Sequence, residues 1–167
     1  RSEDEVQGLD KTIRALSDRV GKLDLFDHLT GIYKKNALIN RFNEEIRRSK
    51  ICQRPCGFIV FELGNNYDHK KKYGNKELDI ILKKSASLLK ESLRPIDIPG
   101  RIGAYTLGAI IIEKNKRQTR HIAKGIEELL RKAIGGDLGM QIFIASSPVD
   151  GSSAEDILDL AEKQLRT

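Results

Sequence analysis

Apolar residues recur along the first 25 positions at Val6, Leu9, Ile13, Leu16, Val20 and Leu23, spacings of three, four, three, four and three. That is a heptad period with β-branched residues at one core position and Leu at the other, the pattern of a two-stranded parallel coiled coil. The positions between are mostly charged, so this helix has one apolar stripe and little else to bury. Packing on its own domain stays open as the alternative, because three heptads is short and Gly8 and Gly21 each cost a helix about 1 kcal/mol relative to Ala. The pattern then changes. After a Gly-containing break at 27–33 comes a helical period in Leu38, Ile39, Phe42 and Ile46, ending in the basic turn Arg47-Arg48-Ser49-Lys50. Gly57 to Leu63 reads as a buried strand, and Leu78, Ile81, Leu82, Leu88, Leu89 and Leu93 as an amphipathic helix. Two strands, Ile98 to Ala104 and Leu107 to Glu113, flank a tight turn around Tyr105-Thr106. A helix from about Arg117 to Ile134, a strand from Met140 to Ser146 and a helix from Ala154 onward complete the pattern. Alternating strands and helices predict an α/β (α+β) domain with one mixed central sheet.

Composition bounds the function. The 167 residues suffice for one domain with an appended segment, and 39% hydrophobic residues suffice for a core. Thirty basic against 24 acidic residues give +6, which favours anionic partners without choosing among nucleotide, nucleic acid and lipid surface. No nucleic-acid motif accompanies the charge, and 5% aromatic residues argue against base stacking, so no nucleic-acid partner is expected. Cys52 and Cys56 form no disulfide framework, and His28, His69 and His121 are too scattered for a metal site, so neither metal nor cofactor is expected. No run approaches the ~18 apolar residues of a membrane span. A cytoplasmic piece of a longer protein, without direct membrane insertion and open to tethering through an upstream region, is the expectation.

Four local motifs carry a resemblance. Asp27-His28-Leu29-Thr30-Gly31-Ile32-Tyr33 is similar to D-x-L-T-G-L-x-N-R, with Lys34 and Lys35 for its Asn-Arg. Tyr73-Gly74-Asn75 followed by Asp79 resembles Y-G-H-x-x-G-D; Arg94-Pro95-Ile96-Asp97 matches R-x-x-D; and Gly103-Ala104-Tyr105-Thr106-Leu107 falls in the signature slot five residues on. In this order and spacing they resemble the GGDEF domain of bacterial diguanylate cyclases, over roughly residues 25–166. The resemblance implies a nucleotide-cyclase-like mixed sheet flanked by helices, with residues 1–25 as a signalling coiled coil and 26–167 as the domain.

The departures from the family shape the functional expectation. Two-metal nucleotidyl transfer needs carboxylates that clamp Mg²⁺ beside a triphosphate. At the positions where the resemblance implies them stand Glu62, Gly64 and Tyr105, one carboxylate of three. The implied guanine-reading Asn falls at Lys70, a donor only, while its partner persists as Asp79. This site therefore reads as degenerate, and the chain as no enzyme. R-x-x-D, the family's product-binding inhibitory site, is intact as Arg94 and Asp97. An Arg fork fits phosphate or guanine bidentately, and a carboxylate three residues on could accept from the guanine edge. A surface ion pair is the competing reading of these two residues. Arg48 falls where a partner domain's Arg is implied, and the domain's own second Arg position reads Gly125, beside Lys124. The resulting expectation is a catalytically inactive cyclic di-GMP receptor, forming a parallel homodimer through its N-terminal helix and coupled to an upstream sensor or effector. Its rivals are an interaction scaffold with a vestigial site, and residual GTP binding or cyclase activity through Glu62 and Asp79.

Overall fold

The computed structural model describes residues 5–9, 11–13, 25–64, 74–135 and 139–165. Its elements run β1 (Tyr33–Lys34), α1 (Lys35–Cys52), β2 (Cys56–Leu63), α2 (Asn75–Ser92), β3 (Ile98–Gly103), β4 (Thr106–Ile112), α3 (Lys116–Ile134), β5 (Met140–Ser147) and α4 (Ala154–Leu165). They form one five-stranded sheet of order β1-β3-β4-β2-β5. β1 pairs parallel to β3, and the other three pairings are antiparallel. The expected mixed sheet flanked by helices is what the chain builds.

β2 lies between β4 and β5, so both its faces must be covered and its residues are apolar almost without a break. The strand period of two sends Ile59, Phe61 and Leu63 to one face, beneath α2 (Leu78, Leu82, Leu89) and α3 (Ala123, Ile126, Leu130). Phe58 and Val60 face the opposite way, beneath α1 (Leu38, Phe42, Ile46) and α4 (Ala154, Ile157, Ala161). Phe42 and Phe58 stack across this second layer with centroids 4.5 Å apart. Burying each such side chain is worth about 1.5–3 kcal/mol. Gly57 belongs to the first face, where a Cβ would collide with Thr119 Oγ1; the glycine lets the first turns of α3 lie against β2.

Local chemistry sets the helix ends. α3 starts in a capping box: the Asn115 side chain accepts from Gln118 N at 2.8 Å, and Gln118 Oε1 accepts from Asn115 N at 3.0 Å. α4 starts under a tertiary cap, Ala154 N donating to Asn43 Oδ1 of α1 at 2.8 Å. The sheet departs from the sequence expectation in one place, the β3–β4 turn. The hairpin turn is Ala104-Tyr105, because Thr106 already pairs with Gly103 and with Glu62; a bulge between Arg101 and Gly103 shifts the register to allow it. Of the N-terminal stripe, Val6, Leu9 and Ile13 lie on described helical residues and are 57%, 61% and 56% exposed. Leu16, Val20 and Leu23 lie outside the described residues. No described helix is long and apolar enough to cross a membrane.

Candidate functional site

Two regions collect the residues that the motifs single out. The first is the end of β2 with the β3–β4 hairpin. Glu62 pairs with Thr106 on one side and Gln141 on the other, and Leu63 N donates to Tyr105 O at 2.9 Å. Gly64 follows at φ +64, a left-handed conformation, and donates to Gly139 O at 3.0 Å. Glu62, Gly64 and Tyr105 are thus brought together, with Tyr105 packed on the core. Asp79 sits half-buried in the second turn of α2, and Lys70 lies outside the described residues. Glu62 opens onto a cavity of about 350 Å³ that it shares with Lys35, Gly103, Thr106 and Glu162. Lys35 and Glu162 escaped the sequence reading as site residues; Lys35 carried a signal, since it occupies an arginine position of the opening motif. As a donor set, the Glu62 carboxylate beside Gly64 and the Tyr105 phenol, with Glu162 the one other described carboxylate lining the cavity, falls short of the several anionic oxygens that a pair of Mg²⁺ ions needs. Among the described residues no group of three His, Cys, Asp or Glu side chains is placed to hold a metal ion.

Arg101 holds this hairpin to the opening motif. Its Nη1 meets Asp27 Oδ1 at 3.1 Å, while Nε and Nη2 donate to Gly103 O and Ala104 O at 3.2 and 2.9 Å. Asp27 Oδ2 also accepts from Thr30 N and Oγ1 at 2.9 and 2.7 Å. Burial raises the Asp27 pKa, but the Thr30 hydrogen bonds and the Arg101 charge outweigh it, and the carboxyl is held below its ordinary range.

The second region is the turn after α2. Arg94 Nε and Nη2 donate to Asp97 Oδ2 and Oδ1 at 3.0 and 2.8 Å, a bidentate pair. Oδ2 further accepts from Arg94 N at 3.1 Å, and Oδ1 from Ile112 N at 3.1 Å. Arg94 Nη2 also donates to Ile112 O at 2.7 Å. Four donors occupy the roughly four lone-pair sites of a carboxylate, so in this conformation Asp97 has no acceptor left for a guanine edge. Its side chain is 2% exposed, against 40% for Arg94. The Asp97 hydrogen bond raises the Arg94 pKa against the opposing effect of burial.

Pro95, Ile96 and Asp97 line an open groove of about 560 Å³, whose other wall is the face of α1 carrying Arg41, Glu45 and Arg48. Arg94 adjoins it through Asp97 and Ile112. Arg48 therefore stands in the same groove as Asp97 of its own chain. Lys124 is exposed on α3 and is not part of this lining, and Gly125 beside it has open space where a side chain would project. Cys56, at the start of β2, is buried, and burial with the charges of Glu45 and Asp97 pushes its thiol up to about 12, so it stays protonated and unreactive.

The diguanylate cyclase, GGDEF domain family matches residues 24–167. The chain belongs to that family. Solved structures of GGDEF proteins share its fold. The coiled coil and GGDEF domain of DgcB from Caulobacter crescentus, a complex with c-di-GMP, has a TM-score of 0.77 at 14% identity, over 97% of this chain and 89% of that one. The FimX GGDEF domain of Pseudomonas aeruginosa has a TM-score of 0.73 at 15% identity, over 85% and 91%. A DGC protein of Thermotoga maritima has 0.67 at 25% identity, over 82% and 98%.

Proposed function

We propose that this GGDEF domain is a catalytically inactive receptor for cyclic di-GMP, which it binds in the groove between the Arg94–Asp97 turn and α1. The observation that carries the reading is the convergence of Arg48 with the Arg94–Asp97 turn on one groove, although Arg48 and Arg94 are 46 positions apart in sequence. Guanidinium groups there meet phosphate oxygens, and the exposed edge of Arg94, held in place by Asp97, meets the base or phosphate of the ligand. That neighbours of the same fold are c-di-GMP complexes supports this ligand class. Glu62, Gly64 and Tyr105 supply too few anionic oxygens for the family's metal chemistry, which supports inactivity. The N-terminal stripe of Val6, Leu9 and Ile13, exposed on the helix, supports a parallel homodimer. A ligand bridging two such domains would fix their relative orientation, and the paired helices would couple it to an upstream sensor or effector in the cytoplasm.

A second reading is a scaffold with a vestigial site, and the saturated carboxylate of Asp97 favours it: the turn is complete without a ligand. Calorimetry separates the two. Cyclic di-GMP titrated into the chain should bind, Arg94→Ala should weaken it about ten- to a hundredfold, and Glu62→Ala should leave it unchanged. No binding to the unaltered chain supports the scaffold. Cyclic di-GMP formed from GTP with Mg²⁺ or Mn²⁺, and lost in Glu62→Ala, would overturn inactivity.

A further inference from the structure

We infer that Arg41 and Arg48 act as a paired guanidinium clamp for the phosphodiester of the groove's ligand, and that the buried carboxylate of Glu45 positions the pair. The inference rests on the groove reading above; what it adds is Arg41 as a contact and Glu45 as a positioning residue. The three side chains recur at four and three residues along α1, one helical face, and all three line the groove. Arg41 Nη2 and Arg48 Nη1 approach the same oxygen, Glu45 Oε1, at 3.6 and 3.4 Å. Glu45 is 4% exposed, while the two arginines are 43% and 66% exposed. A carboxylate this deep is costly without partners. These two guanidiniums are its ion-pair partners among the described residues, so each is drawn from solvent to one point on the groove wall. Long side chains that would otherwise sample many rotamers are thereby held where a ligand meets them.

The charges facing this pair decide what it can bind. Across the groove Asp97 is spent on Arg94, and Glu113 on Arg54 at 2.8 Å. Four guanidiniums (Arg41, Arg48, Arg54, Arg94) thus stand against three carboxylates (Glu45, Asp97, Glu113), and two of the pairs are one-to-one. The surplus positive charge belongs to the Arg41–Arg48 pair, which shares a single carboxylate, and it faces the open groove. An anion with two or more terminal oxygens, such as a phosphodiester, suits two convergent forks.

Calorimetry with cyclic di-GMP on the full chain tests this, using Arg41→Ala, Glu45→Gln, their double variant and Arg94→Ala. Arg41→Ala should weaken binding about tenfold. Glu45→Gln, which keeps the shape and removes the charge that gathers the arginines, should weaken it several-fold. The double variant should lose less than the product of the two, because Glu45 acts through Arg41. Tighter binding in Glu45→Gln would overturn the inference, since the carboxylate would then compete with the ligand instead of positioning its contacts. So would Arg41→Ala within twofold of the unaltered chain, or a Glu45→Gln chain that melts earlier yet binds unchanged at temperatures where it is folded. If Arg94→Ala weakens binding while Arg41→Ala and Glu45→Gln do not, the clamp fails and the groove reading stands; if the unaltered chain does not bind, both fall.

Discussion

Replacing Asp97 by Ala removes an acceptor that closes the α2–β3 turn onto the end of β4. Its oxygens take hydrogen bonds from Arg94 N, Nε and Nη2 and from Ile112 N, all between 2.8 and 3.1 Å. Removing one partner of a buried charged pair costs about 3–5 kcal/mol, chiefly through the charge left behind. Here the charge left behind is on Arg94, 40% exposed and able to turn to water, which lowers the expectation to about 2–4 kcal/mol. Asn is no rescue, since its amide nitrogen would present a donor to donors, and Asp97→Asn should cost nearly as much as Asp97→Ala. Arg94→Ala should cost less, about 1.5–3 kcal/mol, because the carboxylate keeps the two backbone N–H groups. Urea unfolding gives these differences directly, and for a chain of this size thermal unfolding should fall by about 5–15 °C for Asp97→Ala. An Asp97→Ala chain within about 1 kcal/mol of the unaltered protein would refute this role for Asp97. The consequence for function is direct: lost ligand binding in an Asp97 variant reports a contact only when measured on folded protein.

Asp27, whose pKa is held low, contributes stability that is present above the ordinary carboxylate pKa and lost as pH falls through its depressed native value; urea titrations below about pH 4 should show this acid loss, and Asp27→Asn should remove that part of it. Gly57→Ala should destabilise by about 1–3 kcal/mol through collision with Thr119, and adding Thr119→Ala should recover part of the loss in the same unfolding assay. Of the two thiols, exposed Cys52 should react with a disulfide reagent at pH 8 in the native chain, and buried Cys56 only after denaturation; equal native rates would contradict its burial.

What could be read in advance follows from range. β2 was legible because a strand covered on both faces is an unbroken apolar run, and α2 and α3 because their buried stripes repeat at the helical period. β1 has two residues and no period; it exists because Tyr33 and Lys34 pair with Gly100 and Arg101, partners far along the chain. The same holds for the sites. Arg94 and Asp97 announce themselves at a spacing of three, but the Ile112 N–H that saturates Asp97 comes from the next hairpin. Arg101, which fixes the hairpin backbone through Asp27, is 74 positions from its partner. Glu45 between Arg41 and Arg48 looks in sequence like an ordinary solvated helix face; only the packing of α1 on the sheet, which leaves Glu45 almost wholly buried, marks it as different.

The central claim is that the groove beside the Arg94–Asp97 turn, and not the cavity at Glu62, is where this GGDEF domain takes its nucleotide. A co-crystal structure with cyclic di-GMP tests it most directly. Ligand density is expected against Arg94, Arg48 and Pro95, with phosphate oxygens toward α1. Density beside Glu62, Lys35 and Glu162, with the Arg94 groove empty, would contradict it.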